Sequence, residues 1–176
     1  MIESAIKLSV RDVADFPKLG IVFKDITPIL KDAELCAEIT KALAEQLAGI
    51  HIDVVAGIES RGFLFGMLLA QALKVPFVPI RKAGKLPSKT IQQKYELEYG
   101  NSTLELHEDA LLAGQKILIH DDLLATGGTV IAASKLVLQL DAEVVAFSFI
   151  IGLDFLHGKE RLKPFSSNTF TLASYQ

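Results

Sequence analysis

Four short apolar runs, separated by stretches of helical period or by a polar insertion, restrict what this chain can fold into more than any other feature. Residues 52–58, 75–80, 117–119 and 142–151 are, apart from Asp53, Glu143 and Ser148, apolar or glycine at consecutive rather than alternate positions, the pattern of strands covered on both faces. Residues 62–73 are long and apolar enough for a buried helix, and residues 129–140 read as a helix between the last two strands. Further upstream Leu35, Ile39, Leu43 and Leu47 recur every four residues, which marks an amphipathic helix with Asp32 as its N-cap and Gly49 as its stop. Strands that alternate with helices predict an α/β fold, a mostly parallel twisted sheet flanked by helices. Pro76 and Pro79 limit how the second strand can pair.

One segment breaks the rhythm. Residues 82–108 are polar and punctuated by Gly84, Pro87 and Gly100. Residues 95–99 and 103–106 alternate around Gly100-Asn101, which predicts a β-hairpin with few apolar residues to hold it down. A flexible hairpin flap inserted in an α/β core often serves as an active-site lid, and a surface hairpin without a role is the alternative. The chain's 176 residues suit a single domain, 1–176. Its 18 basic and 21 acidic residues give a net charge of -3, so no nucleic-acid partner is expected. No apolar run approaches the ~20 residues that span a bilayer, so no membrane association is expected either. The N-terminal residues lack a signal-peptide layout. The single cysteine, Cys36, excludes an intramolecular disulfide and fits a reducing, cytoplasmic compartment. Cys36 itself reads as a core residue. His51, His107 and His157 fall in no partner pattern, and residues 156–176 read as a short helix and an edge strand without assigned chemistry.

The strongest chemical signal is residues 117–130, ILIHDDLLATGGTV. The order is strand, paired acids, small-residue turn, helix. Parallel sheets bind ligands where strand ends meet helix N-termini, whose unpaired N–H groups favour a phosphate. Gly127 and Gly128 allow close backbone approach, and Thr126 and Thr129 add hydroxyl donors after Ala125. Carboxylates oppose phosphate, so Asp121 and Asp122 suit the vicinal hydroxyls of a sugar beside it. The pattern is neither a P-loop nor a dinucleotide fingerprint. The alternative is a tight strand–helix turn with two solvated aspartates. Two acids followed by TGGT resemble the phosphoribosyl-pyrophosphate signature of the type I phosphoribosyltransferases.

Three further stretches resemble the adenine-specific members of that family: residues 15–28 (DFPKLGIVFKDITP), 57–63 (GIESRGF), and the span from 80–87 (IRKAGKLP) to 97–100 (LEYG). An aromatic such as Phe23, which follows a glycine turn in a segment unsuited to regular structure, can stack on a planar base. Arg61 presents a planar fork of donors suited to pyrophosphate, or it is simply an ion-pair partner of Glu59. Arg81, Lys82 and Lys85 place three cations at the root of the flap, where a solvated basic face is the alternative.

The resemblance implies the type I phosphoribosyltransferase fold, with a base-recognition segment at about 15–30 and a flap at about 82–108. It implies transfer of 5-phosphoribosyl from 5-phosphoribosyl 1-pyrophosphate to adenine, giving AMP and pyrophosphate in purine salvage. Val22, Phe23 and Lys24 match the base-reading positions. Ser60, Arg61, Arg81, Lys82 and Lys85 match pyrophosphate-binding positions, partly across a homodimer interface. Asp121, Asp122 and Ala125 to Thr129 match the phosphoribosyl pocket. Glu98 and Tyr99 match the closing flap and, with Arg61, the catalytic group, Glu98 managing a purine proton. The bond Glu59–Ser60 matches a non-proline cis peptide. The implied cofactor is Mg2+, carried by the pyrophosphate substrate and at most touching Asp121 and Asp122 through water. Leu19 and His120 depart from the usual pattern. A phosphoribosyltransferase for a 6-oxopurine or another base remains an alternative, as does a non-catalytic regulator that senses phosphoribosyl pyrophosphate. The acidic balance and the lack of spare length disfavour the second.

Overall fold

The computed structural model describes residues 1–16, 18–96 and 101–176. The chain begins with helix α1 (Ile2–Ser9) and strands β1 (Arg11–Ala14) and β2 (Val22–Asp25), followed by α2 (Ala33–Gln46). Next come β3 (Val54–Ile58), α3 (Gly62–Leu73), β4 (Phe77–Lys82), β5 (Thr90–Glu96) and β6 (Asn101–His107). The last third holds β7 (Lys116–Leu124), α4 (Gly128–Gln139), β8 (Glu143–Leu153), α5 (Gly158–Leu162) and β9 (Thr169–Tyr175).

The four apolar runs form the middle of a seven-stranded sheet in the order β5-β6-β4-β3-β7-β8-β9. Strands β4, β3, β7, β8 and β9 run parallel to their neighbours, and β6 joins antiparallel on the β4 edge. Both faces are covered, as the continuous apolar pattern requires. Val54, Ala56, Ile58, Ile117 and Ile119 pack on one side with α4 and β6. Val55 and Leu118 pack on the other with α1, α2 and α3. A bulge opposite Ile117 and Leu118 shifts the register of β8. Val144 therefore shares its face with Phe147 and Phe149 rather than with Ala146.

Helix α2 buries Leu35, Ile39 and Leu43, and the Asp32 carboxylate accepts the Leu35 N–H at 3.0 Å as its cap. Helix α3 has the expected bounds. Pro79 has no N–H to offer a partner, and β6 pairs with β4 only at Arg81 and Lys82, beyond the proline.

Three elements differ from the sequence expectation. Strand β7 continues through His120, Asp121 and Asp122 to Leu124, because its ladder with β8 runs to the Leu124–Gly152 pair whatever the side chains carry. Residues 22–25, expected to be irregular, form β2, which pairs antiparallel with β1 and sets Phe23 opposite Val13. The hairpin starts earlier than its alternating residues suggest, and β5 and β6 pair from Thr90–His107 to Glu96–Asn101. Its inner face is also more apolar than expected, with Leu104 and Leu106 buried in the core. The turn residues, including Glu98 and Tyr99, lie outside the described residues.

His120 is fully buried within β7. Its Nδ1 meets the Ser148 Oγ at 2.8 Å, while Nε2 has no partner. Burial drives its pKa from 6.5 down to about 3, so the ring is neutral in the folded protein. Below the unfolded-state value the unfolded chain takes up a proton that the folded one refuses, and stability falls as pH drops from 6.5 towards 3. Replacing His120 with Val should remove about 1.4 kcal/mol per pH unit from the acid-side slope of unfolding free energy. Denaturant titrations between pH 7 and 5 check this, and equal slopes for the two proteins would contradict it.

Candidate active site

The neighbouring ends of β3 and β7 deliver the loops at 59–61 and 125–127 to one place, and glycine lets them meet. A Cβ added to Gly62 would stand 2.8 Å from the His120 carbonyl oxygen and 3.0 Å from Asp121 Oδ1. Without it, the start of α3 lies flat on β7 and Arg61 reaches the acids. Arg61 Nε sits 2.8 Å from Asp122 Oδ2. The contact is an ion pair without hydrogen-bond alignment, so Oδ2 remains buried without a hydrogen-bond donor. Asp121 Oδ1 accepts the Asp122 N–H at 2.9 Å.

The two acids are held uncomfortably. Burial, then the charge of Asp122, pushes the Asp121 carboxyl well above the usual carboxylate range. Burial also raises Asp122, and the facing Arg61 partly offsets it. Such a pair gains from any ligand that brings hydroxyl donors or positive charge. Together with Glu59, Lys82 and Thr129 the acids line a cavity of about 280 Å³.

The small-residue turn follows directly. Gly127 adopts φ +81° as the N-cap of α4, a conformation that favours glycine. The helix begins at Gly128, one residue earlier than the sequence pattern suggests. Its first amides and the half-buried hydroxyls of Thr126 and Thr129 are available donors. The C-terminal segment braces this turn. Arg161 Nη1 donates to the Thr126 carbonyl at 2.7 Å. Gly158 packs so tightly on the Ala125 carbonyl oxygen that a side chain there would collide with it. Nothing in the sequence pattern of residues 156–176 points to this role, because a carbonyl bond and a missing side chain leave no motif.

On the other flank Phe23 faces Arg61, whose Cζ lies 4.7 Å from the ring centroid, and Phe16 meets Phe23 edge-on at 5.2 Å. Val22 is exposed. The Lys24 ammonium is engaged elsewhere, 2.7 Å from Asp12 and over the Tyr175 ring, so any contact of this residue with a base would come from its backbone. Asp25 accepts the N–H and hydroxyl of Thr27, and the backbone bond, the largest cause, lowers its pKa.

The cations of β4 are arranged by Glu59, which pairs with Arg81 Nε at 3.1 Å and accepts the Lys82 N–H at 2.9 Å. Glu59 is therefore occupied by Arg81, and Arg61 pairs with Asp122 instead. Arg81 also donates to the Lys85 carbonyl at 3.1 Å. Lys82 lines the cavity, and Lys85 is exposed on the loop that follows β4. Ser60 is exposed at the end of a cis Glu59–Ser60 peptide. Tyr95, which no motif marked, also lines the cavity. Among the described residues no group of three or more His, Cys, Asp or Glu side chains could hold a metal ion by itself.

Comparison with known proteins fits this geometry. The phosphoribosyl transferase domain model matches residues 23–167. An adenine phosphoribosyltransferase of Cytophaga hutchinsonii is 48% identical over 175 residues, 99% of this chain and 97% of the relative. The crystal structure of adenine phosphoribosyltransferase from Thermoanaerobacter pseudethanolicus superposes with a TM-score of 0.95 at 47% identity, covering 99% of this chain and 100% of that one. The Saccharomyces cerevisiae enzyme, complexed with an imino-altritol bisphosphate and adenine, superposes with a TM-score of 0.89 at 42% identity, covering 97% of this chain and 98% of that one.

The raised Asp121 carboxyl carries a direct consequence. A carboxylate whose folded-state pKa lies above its unfolded value weakens the fold where it must ionise, and the penalty vanishes as acid protonates it. Asp121→Asn should therefore raise the melting temperature of the unliganded protein at pH 7, and the gain should shrink as pH falls towards 4. Calorimetry at the two pH values tests this, and a lower melting temperature for the variant at pH 7 would contradict it.

Proposed function

We propose that this chain, which belongs to the phosphoribosyl transferase family, transfers the 5-phosphoribosyl group of 5-phosphoribosyl 1-pyrophosphate to adenine, forming AMP and pyrophosphate. The observation that carries this reading is the approach of Arg61 to Asp122 immediately ahead of the Gly127–Thr129 turn. Arg61, both acids and Thr129 at the start of α4 line one cavity, which supports a pocket with hydroxyl acceptors, a phosphate-type turn and a cation. The chain's 48% identity to an adenine phosphoribosyltransferase over 99% of its length supports adenine as the base.

Transfer at the anomeric carbon develops positive charge on the ribose and negative charge on the departing pyrophosphate. The protein's task is to fix geometry and neutralise the leaving group. Asp121 and Asp122 accept hydrogen bonds from the ribose hydroxyls, which relieves their crowding. Ala125 to Thr129 hold the 5′-phosphate with the amides that open α4 and the threonine hydroxyls. Arg61 and Ser60 bind the pyrophosphate with Lys82 and Lys85, and Arg81 orients that loop through Glu59 and the Lys85 carbonyl. Phe23 stacks on the base, while backbone groups of Val22 and Lys24 read its edge and favour a 6-amino over a 6-oxo purine. Glu98 and Tyr99 close over the substrate with the hairpin, excluding water as a competing nucleophile.

Two crowded carboxylates, one with an oxygen lacking a donor, suit a magnesium ion that arrives with its phosphate ligands and keeps several waters. When bound, Mg2+ supplies positive charge against the leaving pyrophosphate. No helix among the described residues is long and apolar enough to cross a membrane, and the single unpaired cysteine favours the cytoplasm. A homodimer would give the exposed Leu64, Met67 and Leu68 of α3 a partner.

The test is incubation with Mg2+, phosphoribosyl pyrophosphate and a panel of bases. AMP from adenine is the expected product. Turnover of hypoxanthine or guanine alone would overturn the choice of base, and no turnover with any base would overturn the enzyme. Arg61→Ala should lower kcat/KM by about a hundredfold, the loss typical of a charged donor to a developing anion.

A further inference from the structure

A carboxylate outside the pocket holds the cationic loop in shape. Glu105 on β6 is only 2% exposed, and its partners are backbone N–H groups and neutral side chains. Its Oε1 accepts the N–H groups of Lys85 at 2.8 Å and Leu86 at 2.7 Å. Its Oε2 lies at the outer limit of hydrogen bonding, 3.5 Å, from Thr90 Oγ1 and Gln92 Nε2. Burial alone would raise its pKa, but the N–H donors of Leu86, Gly84 and Lys85 outweigh that and the group lies below the ordinary value. In the sheet Glu105 stands opposite Arg81, so its carboxylate lies under the loop that leaves β4. The loop turns at Gly84 with φ +83°, and Arg81 ties the same turn from above through the Lys85 carbonyl. The backbone of Lys85 is thus gripped on both sides while its ammonium is left unpaired by these contacts.

We propose that Glu105 is a positioning residue for the leaving pyrophosphate. It acts through the backbone of Lys85 and Leu86 and fixes where the Lys85 ammonium, and next to it Lys82, meet the substrate's anionic end. An ionised acceptor strengthens amide hydrogen bonds, and a buried one leaves the loop no competing water. The assignment rests on the pyrophosphate role given above to Lys85.

Two near-isosteric variants separate reach from charge. Glu105→Asp keeps the charge but withdraws the carboxylate by one methylene, whereas Glu105→Gln keeps the oxygen at the two amides and loses the charge. Losing one or two hydrogen bonds to the loop should raise KM for phosphoribosyl pyrophosphate about tenfold in Glu105→Asp. KM for adenine should stay unchanged, and Glu105→Gln, which keeps an acceptor oxygen at the two amides without its charge, should raise the KM for phosphoribosyl pyrophosphate by less than Glu105→Asp does. A second arm uses Lys85→Ala, which should raise the same KM alone and leave Glu105→Asp little further to remove in the double variant. Equal changes in both KM values, no change in Glu105→Asp, a greater loss in Glu105→Gln, or additive effects would overturn the positioning role. A Lys85→Ala enzyme with unaltered KM would instead refute the pyrophosphate role of Lys85, and a wild-type protein that makes no AMP would refute the function itself.

Discussion

Two carboxylates and one guanidinium gathered at the end of a buried strand are the constraint around which the rest is arranged. Water would solvate Asp121 and Asp122 far better than the protein does, and burial raises the pKa of both. A lone buried pair of this kind would be expelled or neutralised. It persists because β7 is clamped between β3 and β8 in parallel ladders, with apolar layers on both faces. Stability supplied by Val55, Leu118, Phe147 and their neighbours offsets the cost of the site, as is common where function demands a poorly satisfied group.

The surroundings work by close approach more than by bulk. Gly62 admits the start of α3 to β7, and Gly158 admits α5 to the Ala125 carbonyl. Each glycine replaces a side chain that would otherwise hold two functional loops apart. The glutamates act in a complementary way. Glu59 and Glu105 are carboxylates beside the proposed pyrophosphate site, yet both turn to backbone amides and, for Glu59, to Arg81. The backbone of Lys82 is thereby held by Glu59 at the cavity wall, and that of Lys85 by Glu105 outside it.

The sheet was legible because its central strands are buried on both faces, so hydrophobicity alone marks them. Helix α2 was legible through its period and the Asp32 cap, and α3 through its long apolar run. Helix α1 and strands β1 and β2 were not, since a short amphipathic helix and a two-stranded ribbon carry weak local signals. In the site, Asp121, Asp122 and the glycine turn announced themselves as contiguous residues. Arg61 was found as a candidate, but its partner was Asp122 rather than the nearby Glu59, because pairing follows the meeting of strand ends and not chain proximity. Glu105, Arg161 and Gly158 were invisible for the same reason. Each acts on a backbone group far away in sequence, and a backbone group has no letter.

The central claim is that the crowded acids of β7 receive the ribose. Titration calorimetry of phosphoribosyl pyrophosphate with Mg2+, run in two buffers of different ionisation enthalpy, measures the protons exchanged on binding. Hydroxyl donors and added positive charge favour ionised carboxylates, so the wild-type protein should release more protons than the Asp121→Asn variant under the same conditions. Equal proton release by the two proteins would contradict the account.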